Sequence, residues 1–279
     1  MRQAVAIVIP LPRWVIGAGR FRDDIVVDAP LVGHEIPWGK TGFVVWVGCG
    51  ASWHQPGRRV VDCAVDVRAI SADVGFERCA VWGFSGGGPH ALACAALLDD
   101  LVVAAATIGS PAPSDASGLD YFAGMSDNAR QDMQLFRSDR DEWERQGQAQ
   151  RHELLAMTAG EFCTQWAAGV SPPDAAALHS NFGVWLHRAA QAAVAAGADG
   201  WIADDVALFH APWGFEMASI SIPVKVWHSR DDRFVPFGHG RWLVGAIPGA
   251  YAELENDAGH LTVVASRIGD VHAWLGQYL

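Results

Sequence analysis

The chain has 279 residues and a formal net charge of −11 at neutral pH, with hydrophobic residues making up 51% of the sequence. That length suits one α/β domain with an ample core, and the acidic balance argues against nucleic acid or an anionic membrane surface as the main partner. Five scattered cysteines form no C-x-x-C pair, and eleven histidines show no H-E-x-x-H spacing. Buried free thiols in a reducing compartment follow from the first pattern, and no metal site or cofactor is expected from the second.

In chain order, the short apolar segments AVAIVIP, DIVVDAPLV and FVVWV each have strand character. Met1–Pro10 is a short apolar run with one arginine, cut by Pro10 and Pro12, too short for a membrane span and without a clear cleavage site. A cytoplasmic enzyme is the expectation. Val60, Ala64, Val67, Ile70 and Val74 fall on one face at helical spacing. Cys79–Phe84 then reads as a buried strand, and Gly88–Leu98 as a helix with Pro89 in its first turn.

Between that strand and that helix stands Gly83-Phe84-Ser85-Gly86-Gly87, a G-x-S-x-G pentapeptide. The string alone is common in a glycine-rich chain, but a strand before it and a helix after it make it a candidate nucleophile elbow. A serine on so sharp a turn needs a strained backbone, and flanking glycines relieve the crowding. The turn would expose the Ser85 hydroxyl and leave the Gly86 N–H free to bind an oxyanion.

Leu101–Ile108 is the next buried strand, after which the β pattern stops from about Ser114 to Ser219. This long stretch is helical and carries large apolar residues, among them Phe122, Met125, Trp166, Trp201 and Trp213. Most of these are expected to hold helices together, with Phe84, Phe122 and Met125 as candidates for the lining of a substrate pocket. Asp204-Asp205 reads as a helix cap. Pro223–His228 and Ala250–Leu254 are two further strands; an aspartate pair, Asp231-Asp232, follows the first, and His260 follows the second at the start of the last helix.

Serine, aspartate and histidine in that order, each after a strand, fit nucleophile, orienting acid and general base. Through the segments GFSGGGPHALACA, SRDDRFVP and DAGHL, and Gly48-Cys49-Gly50-Ala51-Ser52 at the place of a G-x-G-x-S turn, the chain resembles the α/β-hydrolase superfamily. It is most similar to the small bacterial esterase- and peptidase-like members, from about Gly48 to Leu279. The resemblance implies an α/β-hydrolase fold: a mostly parallel sheet flanked by helices, a core of residues 1–113 and 220–279, and a helical cap over 114–219.

It also implies Ser85, Asp232 and His260 as the triad, because the family's acid usually stands four residues before a proline and Pro236 fits Asp232. Asp231 is the neighbouring alternative; Asp115 and Asp120 would serve if the acid followed the preceding strand. The implied substrates are small carboxylic esters or lactones with an apolar portion. An aminopeptidase or amidase is the alternative, with Glu142, Glu144, Glu153 or Glu161 holding an ammonium group; a non-catalytic binding protein of the same fold is another. The first 47 residues fit the family poorly, since Gly48 arrives too early for every usual N-terminal element. The second oxyanion donor therefore stays open among Gly17-Ala18-Gly19, Val32-Gly33-His34 and Gly48-Cys49-Gly50.

Overall fold

The computed structural model describes residues 57–195 and 197–279, together with the strands Gln3–Val8 (β1) and Lys40–Val44 (β2). Four more strands complete a six-stranded sheet: Arg78–Phe84 (β3), Val102–Ile108 (β4), Val224–Ser229 (β5) and Tyr251–Glu255 (β6). Their order is β2-β1-β3-β4-β5-β6, and every pair is parallel. Near-continuous apolar runs suit strands covered on both faces, and β3 and β4 are such runs. The two described N-terminal strands, β1 and β2, are a parallel pair. DIVVDAPLV, the G-x-G-x-S-like turn and all three candidate donor segments lie outside the described residues.

The helices Cys63–Val74 (α1) and Gly87–Leu97 (α2) flank β3 in sequence, and α1 buries Ala64 and Val67 as their spacing predicts. Its end is set by Gly75, whose left-handed backbone closes the last turn. α2 packs on β3 and β4, and the final helix His260–Leu275 (α10) packs on β4 and β5. The core between them includes the fully buried Trp82, Leu92, Ile108, Trp227 and Leu275. Truncating one such side chain to alanine typically costs about 2–5 kcal/mol.

Between β4 and β5 the chain runs through six helices: Asp127–Ser138 (α3), Arg140–Ala156 (α4), Ala159–Ala167 (α5), Pro172–Leu178 (α6), Asn181–Val194 (α7) and Asp199–Phe209 (α8). Four begin on side-chain caps, from Ser126, Asp139, Thr158 and Ser180. The remaining helix, Phe237–Ala246 (α9), joins β5 to β6. Among the described residues no helix is long and apolar enough to cross a membrane, and the four described cysteines are buried free thiols.

A parallel sheet sends every strand's C-terminal end to one edge, where the chain turns into its connecting segments. Phe84 pairs with Ile108, and Ile108 with Trp227, so the turns after β3, β4 and β5 leave that edge side by side.

Candidate active site

Ser85 follows the last residue of β3 and has φ 51°, making it the single described non-glycine residue in the left-handed region. Such a conformation costs on the order of 1–3 kcal/mol and is held in place by two hydrogen bonds. The Ser85 N–H donates to the Ile108 carbonyl (2.8 Å), and the Ser85 carbonyl accepts from the Gly88 N–H (2.9 Å). The turn doubles back so tightly that a Cβ on Gly83 would lie 2.0 Å from the Gly87 carbonyl oxygen. A Cβ on Gly88 would strike the Ser110 hydroxyl, a constraint invisible in the pentapeptide itself. Gly86 stands at the N-cap of α2, where the first helical N–H groups lack acceptors within the helix.

The structure brings Ser85, His260 and Asp232 together. Ser85 Oγ lies 3.0 Å from His260 Nε2, and His260 Nδ1 lies 2.6 Å from Asp232 Oδ2. The second carboxylate oxygen of Asp232 accepts the N–H groups of Phe234 (3.0 Å) and Val235 (2.7 Å). All three side chains are buried. Asp231, Asp115 and Asp120 are exposed instead, and Asp120 accepts the N–H of Phe122 within its own loop. Gly109, at the end of β4 with φ 54°, leaves room for the His–Asp contact: a Cβ there would lie 3.2 Å from His260 Nδ1 and 3.3 Å from Asp232 Oδ2.

Two other histidines support these loops. His228, at the end of β5, donates through Nε2 to the Val235 carbonyl (2.8 Å), bracing the turn that carries Asp232. Burial holds its pKa below the ordinary value. His239 on α9 accepts the Ala112 N–H at Nδ1 (3.0 Å) and donates from Nε2 to the Tyr121 carbonyl (2.9 Å). Burial drives its pKa down to about 4. Neither histidine stands in a motif, so the sequence offered no signal for them.

Ser85 and Gly86 open onto a cavity of about 390 Å³, roofed by the helical insert. Met125, Phe136, Trp143, Trp166 and Leu208 supply much of its apolar wall. Of the three lining residues expected from sequence, Met125 borders the cavity, whereas Phe84 and Phe122 do not. Phe84 is buried with its ring 4.8 Å from that of His260, so it packs beneath the imidazole. Phe122 carries the Arg137 guanidinium over its ring, 4.8 Å from the centroid. Asp204 and Asp205 are not helix caps. They sit within α8, where Asp204 meets His90 Nε2 (3.0 Å) and Asp205 accepts from Trp201 Nε1 (2.8 Å). Among the described residues no group of three His, Cys, Asp or Glu is arranged to hold a metal ion.

A family model described as alpha/beta hydrolase fold matches residues 25–264. The match reaches further toward the N-terminus than the motifs alone, which begin near Gly48. Similar solved structures include the enol-lactonase from Burkholderia xenovorans LB400 (16% identity, TM-score 0.64, 99% of this chain and 90% of that one). A thermophilic esterase from Thermogutta terrifontis, malate bound, matches at 16% identity and TM-score 0.64, over 100% of this chain and 90% of that one. A bromoperoxidase from Bacillus anthracis matches at 17% identity and TM-score 0.64, over 99% and 91%. At these identities the likeness is one of fold. No curated protein matches the chain in sequence.

Proposed function

Because the chain belongs to the α/β-hydrolase fold family, we propose that it is a serine hydrolase of carboxylic esters or lactones, with Ser85 as nucleophile, His260 as general base and Asp232 as orienting acid. The observation that carries this reading is the unbroken hydrogen-bonded line from Ser85 Oγ through the His260 ring to Asp232, opening on an apolar cavity. As Ser85 Oγ attacks the acyl carbon, His260 Nε2 takes its proton, and Asp232 holds the ring with Nδ1–H directed at its Oδ2. The carbonyl π electrons move onto oxygen, where the Gly86 N–H stabilises them. His260 then protonates the leaving alcohol, or the ring oxygen of a lactone, as the C–O bond breaks and an acyl-serine remains. Water attacks that ester with the same histidine taking its proton, and the carboxylic acid departs as Ser85 is restored.

Residues 114–219 act in this reading as a cap whose apolar wall receives the hydrocarbon part of the substrate. A fluorophosphonate probe and a panel of acyl esters of graded chain length test the proposal. Covalent labelling at Ser85, lost together with ester turnover in S85A, is expected; a folded S85A variant with wild-type turnover would remove the proposed nucleophile.

One observation favours a second substrate class for the same machinery. Of the four glutamates suggested for an ammonium group, Glu153 borders the cavity. Glu142 binds Gln146 and pairs with Arg145, Glu144 pairs with Arg140, and Glu161 caps its own helix at Thr158. A preference for esters or amides of α-amino acids over their des-amino counterparts, lost in E153Q, would select this reading.

A further inference from the structure

The helix that presents His260 has no side chain of its own at its N-cap. α10 starts immediately after Gly259, which stands in the capping position with an extended backbone. A capping residue normally offers a side-chain oxygen to the second or third helical N–H, and in a capping box the side chain at the third position, usually Glu or Gln, returns a bond to the cap's own N–H. Here the return bond is present: the Gly259 N–H donates to Thr262 Oγ1 (2.7 Å). The forward half comes from elsewhere. Asp174 Oδ1, on α6 of the insert, accepts the N–H groups of Leu261 (3.1 Å) and Thr262 (2.8 Å) and the Thr262 hydroxyl (2.8 Å).

Asp174 is 1% exposed. Its approach is possible because residue 259 is glycine: a Cβ there would lie 2.3 Å from Asp174 Oδ2 and 1.9 Å from Ser171 Oγ. Those two oxygens are themselves buried without hydrogen-bond partners. Two buried oxygens without partners are costly, and they are brought there by the insert, which reaches down to the first turn of α10.

We propose that Asp174 is a positioning residue for the reaction assigned above, supplying in trans the cap of the helix whose first residue is His260. The inference rests on the hydrolase reading of Ser85, His260 and Asp232. Asp174 touches neither substrate nor the reacting atoms. It fixes the direction in which α10 leaves Gly259, and through that the placement of the imidazole between Ser85 and Asp232. The same contact makes the seating of the insert a condition for an aligned base.

The test compares wild type, D174A and D174N, each checked for folding by near-ultraviolet circular dichroism. The readouts are kcat and KM on a short-chain chromogenic ester, the rate of Ser85 labelling by a fluorophosphonate, and the low-field proton resonance of the His260 Nδ1–H bonded to Asp232. Displacement of a reacting group by about 1 Å costs up to about 10²-fold, so D174A is expected to lose roughly 10- to 100-fold in kcat and in labelling rate, with KM little changed. Its low-field resonance is expected to broaden or vanish. D174N keeps the accepting Oδ1 and places an amide nitrogen beside Ser171 Oγ, so it is expected to recover most of the lost rate. If D174A does not fold, T262V, which removes one donor to Asp174 and the acceptor for Gly259, is expected to show the same kcat-against-KM split and the same spectroscopic change. Wild-type kcat and resonance in a folded D174A, or in T262V where D174A does not fold, would overturn the proposal, as would equal losses in D174A and D174N. Failure of the hydrolase reading is a separate outcome: an unlabelled wild type, or an active S85A, with the low-field resonance still reporting on Asp174.

Discussion

The sheet edge and the helical insert face each other across one cavity, yet they bury polar groups of different kinds. On the sheet side the polar atoms form a series: a serine hydroxyl, an imidazole, a carboxylate and two backbone N–H groups, each bonded to the next. On the insert side they mostly serve the insert's own packing. Trp201 donates to Asp205 one turn on, Trp213 to the Leu208 carbonyl, and His187 to the Met157 carbonyl. In the proposed mechanism one wall moves a proton while the other holds a shape. Substitutions on the two walls should therefore separate in kinetics, with sheet-edge changes felt in kcat and cavity-lining insert changes in KM; Asp174 is the exception, because it binds the helix that carries His260.

The largest effect after loss of Ser85 itself belongs to the acid. D232N is expected to lower kcat by roughly 10⁴-fold, as loss of a triad carboxylate does in serine proteases. D231N, altering an exposed neighbour, is expected to stay within a few-fold of wild type. Steady-state kinetics of the two variants decide the matter, and the reverse ranking would dismantle the sheet-edge series. G109A comes next. It places a methyl group against the His–Asp contact at a position with φ 54°, so kcat is expected to fall by about 10²-fold while KM stays close to wild type.

The insert gives smaller changes of the other sort. W166A removes part of the cavity wall and is expected to raise KM for long or branched acyl esters by roughly 10-fold, with kcat for an acetyl ester nearly unchanged. A uniform loss of kcat on every ester would show that the two walls are not separable. The smallest effect concerns acid. Burial depresses the pKa of both His228 and His239, the latter to about 4. Unfolding releases both rings to an ordinary value near 6.5, so the unfolded chain binds more protons below that pH. Their contribution to stability is complete above about pH 6.5 and is lost as pH falls toward about 4. The melting temperature should drop between neutral pH and pH 5, and less steeply in H239Q; equal slopes would remove His239 as a source.

What was legible in the sequence follows a physical division. The elbow could be read because its constraints are local: strand, glycine, serine, glycine and helix all lie within a few residues. Asp232 is favoured over Asp231 only through the resemblance, which places the acid four residues before a proline; in the fold Asp232 is the buried member of the pair, and its two N–H bonds reach only to residues 234 and 235. The cavity wall was not legible, because which side of an insert helix meets the sheet edge depends on how six helices pack together. The turn before α3 shows the same dependence: Met125 and Phe122 lie three residues apart in it, and one borders the cavity while the other turns to Arg137. Asp174 was hidden for a related reason. Ser171-Pro172-Pro173-Asp174 announces a helix start, but the groups that Asp174 binds lie 87 and 88 residues further along the chain.

The insert leaves the sheet after Ile108 and returns at Val224, on strands that are hydrogen-bonded neighbours. Because those strands are parallel, it leaves at one edge of the sheet and re-enters at the opposite edge, with Ile108 paired to Trp227 and Val224 to Ala105; the connection is a crossover whose helical middle can lengthen, shorten or be exchanged for another without shifting the register of any strand. That arrangement lets an engineer graft a foreign roof onto this floor and alter what enters while the reacting groups stay where they are. Asp174 sets one term of such an exchange. A replacement that carries no acceptor over Leu261 and Thr262 would deliver a new substrate to an unanchored histidine.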